Sequence, residues 1–343
     1  RLADPACHIA SFTVTEKGYA RSPDGGLDLI AGRSSFYPLV AQGLAERRAR
    51  GLGGLTLLPC DNLAENGKVL ARLMEQWLAA DMPEMVEWFR RECRVPSTMV
   101  DRIVPRTAPQ ALTALERHLG MRDAGAVFTE GFSQWVIEDD FAGPRPQWER
   151  HGVQLVNDVA PFETAKLRML NGAHSLLAYC GLEAGYTYVH QAAADPRLAA
   201  LAERLMRDEA LPTIPAAPGQ DLAAYAGQLM QRFGDPALMH RLDQIAMDGS
   251  QKIPQRWLDT AAVLTRRSLP CDAIAAGFAA WVRHLADGRC VDDPHGEELH
   301  AIAIKGGARG IVERCLGTGT GMTALWSGYQ HLAQTLLSAE REV

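Results

Sequence analysis

The sequence predicts an α/β domain over residues 1–158 and an all-α domain over residues 159–343. Up to about residue 158, short apolar runs typical of strands alternate with stretches of helical periodicity. Beyond that point the strand patterns nearly vanish, and Ala, Leu, Met, Glu and Arg dominate the sequence. A length of 343 residues also agrees with two domains, since a domain has about 150 residues.

Two kinds of pattern predict the elements of the α/β part. Residues 8–15 alternate between apolar and polar side chains, and residues 55–60 form a short apolar run typical of a strand buried on both faces. Residues 69–80 have apolar side chains three and four apart, which predicts a helix. The alternation of the two patterns favours a largely parallel sheet. The predicted strands are 8–15, 55–60, 126–129 and 154–156, and the predicted helices are 38–50, 69–80 and 85–91.

Helical periodicity predicts nearly all of the second domain. Prolines and glycines at residues 212–219 and the polar stretch at 287–296 predict loops between helices. The predicted helices are 161–182, 197–209, 221–233, 236–248, 257–267, 270–286 and 297–316.

Composition excludes several classes of protein. The chain is 47% hydrophobic and 22% charged, which is enough apolar material for a core and excludes a disordered protein. It has no run of 18 uncharged apolar residues, so we expect no membrane partner. The formal net charge of −6 gives no overall attraction for nucleic acid, and none is expected as a partner.

The cysteines indicate a cytoplasmic protein. There are seven of them, widely spaced and with no Cys-x-x-Cys, which predicts reduced thiols that pack as small hydrophobes. No pair has the spacing of metal ligands, so we expect no metal.

The segment from Pro161 to Leu177 is the strongest candidate site. At 100° per residue, Glu163, Lys166 and His174 fall within roughly 80° of one another, and Asn171 lies about 60° beyond His174. Apolar residues cover most other directions, so the helix is expected to be buried, where an ammonium group is costly unless it is paired or its pKa falls. A stripe of Glu, Lys, Asn and His on a buried helix therefore indicates a site. The alternative is that Lys166 extends to solvent and His174 is a hydrogen-bonded core residue.

Two further segments carry candidate residues. Asn62 follows the predicted strand at 55–60, and parallel sheets bind ligands beyond the carboxyl ends of their strands. A helix N-cap is the alternative role for Asn62. The stretch from Asp248 to Arg256 carries Lys252 and Arg256, which can hold a hydroxylated or anionic substrate, although a solvated loop between helices has the same composition.

Several motifs that occur together and in order resemble one enzyme family. The motifs are Thr13-Val-Thr-Glu16-Lys-Gly18-Tyr19, Cys60-Asp61-Asn62, Met99-Val-Asp101, Gln134-Trp-Val-Ile-Glu-Asp139, Lys166-x4-Asn171-x2-His174 and Asp248-Gly-Ser-x-Lys252. With them the sequence resembles the polyol-specific long-chain dehydrogenases, also called the mannitol dehydrogenase family, over essentially its whole length.

The resemblance implies a metal-independent, NAD-dependent oxidation of a secondary alcohol, or reduction of the matching ketone. A partial Rossmann-like domain would be followed by a mostly helical substrate domain. The catalytic residues would be Lys166 as general acid–base, Asn62 and Asn171 as donors to the developing alkoxide, and His174 as the ligand of a neighbouring hydroxyl.

The resemblance also implies roles around this set. Asp101, Lys252 and Arg256 would line the substrate pocket, and Asn62 and Asp101 would also contact NAD. Glu163 is our own hypothesis for a proton relay to solvent.

The substrate is expected to be a sugar acid. Mannitol-type members carry an arginine where this chain has Gln244, and the stretch from Gln244 to Arg256 is more similar to the fructuronate reductase (D-mannonate oxidoreductase) group. We therefore expect interconversion of D-fructuronate and D-mannonate. The alternative is a neutral polyol, as in mannitol 2-dehydrogenase or arabinitol dehydrogenase.

One departure from the family concerns the cofactor domain. The family has a Gly-x-Gly-x-Phe-type turn for the cofactor pyrophosphate, and this sequence has none, so we expect the N-terminal part of that domain to be absent. A second hypothesis is therefore a non-catalytic fragment or helical interaction module. A monomer or weak oligomer is expected in either case.

Overall fold

Two apolar stretches form the first parallel pair of strands. Strand β1 (Ile9–Phe12) pairs with β2 (Thr56–Pro59), and all four residues of β2 are buried. Helix Tyr37–Ala49 lies between the two strands in sequence. The sequence predicts this strand–helix–strand order and the parallel pairing. The structure is a computed structural model that describes residues 1–22, 24–288, 292–319 and 323–338.

The other strands form a second, mixed sheet. Strand β3 (Thr98–Asp101) pairs antiparallel with β4 (Gln134–Glu138), which pairs parallel with β5 (Gln154–Val156). The expectation of a largely parallel sheet thus holds for the pairs β1–β2 and β4–β5 and is wrong for β3–β4.

Helices make up most of the rest of the described chain. Those of the first half are α1 (Thr15–Gly18), α2 (Leu29–Gly32), α3 (Tyr37–Ala49), α4 (Asn66–Asp81), α5 (Val86–Glu92), α6 (Pro109–Leu119), α7 (Ala160–Ala165) and α8 (Gly172–Glu183). Those of the second half are α9 (Val189–Ala194), α10 (Pro196–Arg204), α11 (Leu222–Phe233), α12 (Leu242–Ala246), α13 (Gly249–Ile253), α14 (Asp259–Arg266), α15 (Asp272–Ala286), α16 (Gly296–Leu316) and α17 (Ala333–Leu337).

Short helices of other kinds join these elements. Segments of π-helix occupy Lys166–Asn171, Leu205–Ala210 and Pro254–Leu258. Turns of 3₁₀-helix occupy Pro83–Met85, Trp148–His151, Leu211–Thr213 and Gln330–Leu332.

The chain divides into two compact units. Unit 1 comprises Arg1–Arg102 and Ser133–Glu163, and unit 2 comprises Ile103–Phe132 and Thr164–Val343. Residues 103–132 thus pack with the helical part, although they precede the predicted boundary at 158. A boundary between cofactor and substrate domains at that residue stays a prediction.

Each unit has its own core. In unit 1 the core contains Tyr19, Tyr37 and Trp77, and helix α4 contributes the residues three and four apart that predicted it. In unit 2 the core surrounds Trp257 and Trp281, both almost completely buried.

Two predicted elements of the second unit are wrong. Residues 126–129 are not a strand: Val127 and Phe128 are exposed, and no neighbouring strand supplies a ladder of hydrogen bonds among the described residues. The helix predicted at 236–248 is reduced to α12, because the amide of Leu242 donates to the carbonyl of Thr187 at 3.0 Å and Arg241 forms a bridge with Tyr188. Arg241 thereby has an extended backbone, and residues 236–238 before it form turns rather than a helix.

The described cysteines are free thiols. Cys93, Cys180, Cys271 and Cys315 are buried, and burial raises the pKa of the Cys93 thiol to about 11. Cys7 and Cys60 are partly buried, and Cys290 lies outside the described residues. Across the described ranges, no helix combines the length and apolar character needed to cross a bilayer.

Candidate functional site

The central feature of the candidate site is the helical run from Ala160 to Glu183. It consists of α7, the π-helical segment Lys166–Asn171 and α8 without a break. Every residue of α8 up to Gly181 is buried. Lys166 is half-buried, and Asn171 and His174 are 8% and 6% exposed. The buried helix that the sequence predicts is therefore confirmed.

The π-helical segment changes which residues share a side of the helix. In an α-helix, residues five apart such as Lys166 and Asn171 are rotated by about 140° from each other. In a π-helix they are one hydrogen-bonded turn apart. The angle expected for Asn171 from α-helical spacing is therefore wrong. Since His174 follows Asn171 by three residues in α8, the backbone places all three on one side.

Close backbone packing accompanies the π-helical segment. It packs against the other two π-helical segments, Leu205–Ala210 and Pro254–Leu258. The indole nitrogen of Trp257 donates to the carbonyl of Gly172 at 3.0 Å. A Cβ on Gly172 would lie 3.2 Å from the carbonyl oxygen of Arg256, so this approach favours glycine. These contacts hold the end of the π-helical segment and the start of α8 against Pro254–Leu258.

Asn171 and His174 each carry a buried polar atom with no hydrogen-bond partner. Within the described ranges, neither Asn171 Nδ2 nor His174 Nε2 meets a donor or acceptor. Leaving such an atom unsatisfied costs about 1–3 kcal/mol, and folded proteins contain few of them. His174 is thus not the hydrogen-bonded core histidine of the alternative interpretation. Both atoms are available to a polar ligand.

The surroundings of His174 keep its imidazole neutral. Its ring lies 4.6 Å from the ring of Phe233, between centroids. Burial lowers the pKa of His174 well below the usual value of a histidine, and the nearby His240, Arg256 and Arg232 lower it further. A neutral imidazole can donate one hydrogen bond and accept another, which suits a hydroxyl group.

Lys252 and Arg256 lie on helices rather than in a solvated loop. Lys252 is in α13, where its ammonium donates to the carbonyl of Met247 at 2.6 Å and lies 3.8 Å from the Asp248 carboxylate. Arg256 is in the following π-helical segment, and its guanidinium donates to the Ser175 hydroxyl at 2.7 Å. Arg256 is thereby held beside the residue that follows His174.

Asn62 lies in the turn after strand β2. It is exposed, and helix α4 begins only at Asn66, so Asn62 is not the N-cap of that helix. The preceding Asp61 is buried and accepts hydrogen bonds from the amides of Val14 and Thr15 at 2.9 and 2.7 Å and from the Tyr19 hydroxyl at 3.0 Å. These bonds fix the turn that presents Asn62.

Asp101 is the last residue of β3 and is almost fully buried. Its strand is tied to the region after β2 through Asn66, whose side chain donates to the carbonyl of Thr98 at 2.9 Å and accepts from the amide of Thr98 at 2.9 Å. Asn62 and Asp101 therefore both lie at the carboxyl ends of strands of unit 1.

Glu163 is buried at the end of unit 1. Its carboxylate accepts two hydrogen bonds, at 3.1 and 3.2 Å, from the amide of Glu65. Glu65 has a positive φ of 50°, a conformation that turns its amide toward that carboxylate and starts helix α4.

Two groups beside the site escaped prediction from the sequence. His240 lies against His174, with 5.4 Å between ring centroids. Arg232 forms a buried ion pair with Glu130, with N–O distances of 2.8 and 2.9 Å. Neither has a periodicity or motif that marks it, because both depend on contacts between distant parts of the sequence.

Comparison with known proteins matches two family domains in order along the chain. Residues 2–150 match the mannitol dehydrogenase Rossmann domain, and residues 158–310 match the mannitol dehydrogenase C-terminal domain. The chain is 30% identical to a solved structure, a Pseudomonas fluorescens mannitol 2-dehydrogenase ternary complex with NAD and D-mannitol. The match covers 98% of this chain and 72% of that one, with a TM-score of 0.81.

Two curated relatives are more similar in sequence. D-mannonate oxidoreductase of Escherichia coli is 41% identical over 295 residues, which cover 82% of this chain. Mannitol 2-dehydrogenase of Aspergillus terreus is 38% identical over 331 residues, or 90% of this chain. The chain spans 61% and 66% of the lengths of these relatives.

Proposed function

Since this chain belongs to the mannitol dehydrogenase family, we propose that it acts as an NAD-dependent dehydrogenase of a sugar acid or polyol. The supporting observation is the buried helical run 160–183, on which Asn171 Nδ2 and His174 Nε2 lack partners among the described residues. Polar atoms in that condition suit a hydroxylated ligand, which both donates and accepts hydrogen bonds.

Lys166 would be the general acid–base. Its amine would take the proton of the substrate hydroxyl during oxidation and return it during reduction. The amides of Asn171 and Asn62 would donate to the alkoxide oxygen as its charge develops. His174 would hold the neighbouring hydroxyl, and Glu163 would relay the proton of Lys166 to solvent.

The residues of unit 1 fit part of the cofactor. Asn62 and Asp101 lie at the carboxyl ends of strands, where sheets of this class bind ligands, and would contact the nicotinamide side of NAD. NAD, when bound, would supply the hydride acceptor. The sequence contains no Gly-x-Gly-x-Phe turn, so no residue of this chain is assigned to the pyrophosphate.

The proposed substrate is D-fructuronate, with D-mannonate as the reduced partner. Arg256 supports a carboxylated substrate, because its guanidinium is held beside Ser175, next to His174. A guanidinium can bind a carboxylate through two parallel hydrogen bonds. Lys252 is a less suitable cation, since its ammonium already donates to the Met247 carbonyl.

Initial rates of NADH oxidation with D-fructuronate and with D-fructose test the substrate. We expect at least a tenfold preference for fructuronate, and Arg256→Met is expected to remove about a factor of ten from kcat/KM for fructuronate alone. Arg309→Met, which removes an exposed guanidinium outside the candidate site, is the matched control. A tenfold preference for fructose would instead favour the second candidate, a neutral polyol, which the 38% identical mannitol 2-dehydrogenase supports.

Binding of NADH separates the enzyme from the non-catalytic alternative. A fluorescence titration of this chain with NADH is expected to saturate. Failure to bind would show that these residues alone do not form the cofactor site, and would leave the helical interaction module as the better description of this polypeptide.

A further inference from the structure

His240 is a partly buried residue that the proposed reaction does not use. It lies in the stretch between α11 and α12, and its ring meets that of His174 nearly at right angles, with centroids 5.4 Å apart. Its Nδ1 atom is buried and has no hydrogen-bond partner in the described part of the chain. The two imidazoles form a contact pair in which each ring leaves one buried nitrogen unsatisfied.

The backbone of His240 is held on both sides. Its amide donates to the carbonyl of Leu238 at 2.7 Å, and its carbonyl accepts from the amide of Val189 at 3.0 Å. The bond from Val189 ties the residue to the start of α9. The backbone that carries the ring is therefore held in place before any ligand binds, which lowers the cost of ordering it on binding.

Three unsatisfied polar atoms occur close together in this part of unit 2. They are Asn171 Nδ2, His174 Nε2 and His240 Nδ1. Asn171 and His174 share a side of the helical run, and His240 contacts His174. Folded proteins leave few such atoms unmet, and three of the nine found in the described residues are on the candidate site or in contact with it.

Protonation limits the ligand that this group can take. Burial lowers the pKa of His240 to about 4, and both imidazoles are neutral at pH 7. Neutral imidazoles do not neutralise a carboxylate. They match hydroxyl groups, which donate and accept in turn.

We propose that His240 binds substrate directly, and that His174 and His240 together hold neighbouring hydroxyl groups of the sugar acid or polyol. This inference rests on the proposed function and deepens it. His240 would decide which configuration is accepted at the hydroxyl that it meets. An isomer with that hydroxyl inverted would leave Nδ1 without a partner.

Nitrogen NMR of the chain labelled with ¹⁵N-histidine tests the proposal. D-mannonate is added in the presence of NADH, so that no turnover occurs, and D-mannitol is tested separately. We expect the ring nitrogens of His174 and His240 to shift together at one ligand concentration. His300, whose Nδ1 lies 2.6 Å from the Leu285 carbonyl oxygen, is the internal control.

Two variants of His240 sharpen the test. Asn can place a polar group near the position of Nδ1, whereas Gln places it near Nε2. We therefore expect His240→Gln to weaken D-mannonate binding about tenfold, and His240→Asn to remain within about threefold. His190→Gln is the matched control, because His190 also has a buried Nδ1 without a partner in the described residues but stacks on Tyr188.

The possible outcomes distinguish the role of His240 from the proposed dehydrogenase function. A shift of His174 without any shift of His240, or equal affinities for the Asn and Gln variants, would overturn the role of His240 and leave the proposed function standing. If neither ligand shifts either histidine, both fail. Shifts of both nitrogens with the expected order of the variants support both.

Discussion

Breaking the buried ion pair between Arg232 and Glu130 is expected to destabilise unit 2 strongly. The side chains are 7% and 4% exposed and joined by two hydrogen bonds of 2.8 and 2.9 Å. Glu130 also accepts from the amide of Ile103 at 2.5 Å, and the Arg232 guanidinium lies 4.0 Å from the centre of the Phe132 ring. The pair fastens residues 103–132 to helix α11.

The size of the effect follows from that burial. Replacing Arg232 with Met leaves an uncompensated buried carboxylate, which typically costs about 3–5 kcal/mol. Removing both charges, as in Glu130→Gln with Arg232→Met, avoids that penalty, so the double variant is expected to recover about half of the loss. Part of the loss in stability remains, because after Glu130→Gln the Ile103 amide donates to a neutral amide oxygen, which is a weaker acceptor than the carboxylate.

Urea unfolding followed by fluorescence measures these free energies. The control is Arg309→Met, which removes the exposed pair of Arg309 with Glu313 and should change the free energy of unfolding by less than about 0.5 kcal/mol. If Arg232→Met costs no more than Arg309→Met, or if the double variant is less stable than the sum of its singles, the reasoning from burial is wrong.

Three further predictions concern single residues. Lys166→Ala is expected to lower the rate of NADH oxidation by about a hundredfold or more. The control Lys305→Ala changes an exposed lysine and should leave the rate unchanged. A near-normal rate for Lys166→Ala would show that Lys166 is not the general acid–base. Gly249→Ala should lower the free energy of unfolding by about 1–3 kcal/mol, because a Cβ at this position would lie 2.5 Å from the Trp281 indole nitrogen. Thermal unfolding measures the effect, and an unchanged Tm would contradict this close packing. His240 has a folded pKa of about 4, below that of the unfolded chain, so its stabilising contribution is present above about pH 6.5 and is lost as the pH falls toward 4. His240→Asn should therefore make unfolding free energy less dependent on pH over that range, and an unaltered pH profile would show that this imidazole does not titrate with unfolding.

Long helices and buried strands were predictable because their signal is local. Helix α4 has apolar residues three and four apart, and the all-buried strand β2 is a continuous apolar run. The apolar run at 126–129 has the same pattern in sequence, but no strand pairs with it among the described residues. Whether a segment finds a partner strand depends on the rest of the chain and cannot be read from that segment alone. The antiparallel β3–β4 pair was hidden for the same reason.

The site was predictable in composition and less so in geometry. Lys166, Asn171 and His174 could be found from their chemistry on an apolar helix, together with a family resemblance. Their common side depends on a π-helical segment that packs against two others, which is a tertiary effect. His240 depends on contact between segments 66 residues apart and carries no local pattern.

The three π-helical segments also limit where residues can be inserted into or deleted from unit 2. Each holds a wider turn than an α-helix, so the deletion of one residue would let the helix revert and rotate everything after it by about 100°. Because the segment Lys166–Asn171 packs on the other two, we expect that a rotation of the helix there could not be accommodated by its neighbours. We expect natural insertions and deletions to fall in the connection around Gly219, and engineered linkers to be tolerated there rather than between Lys166 and Asn171.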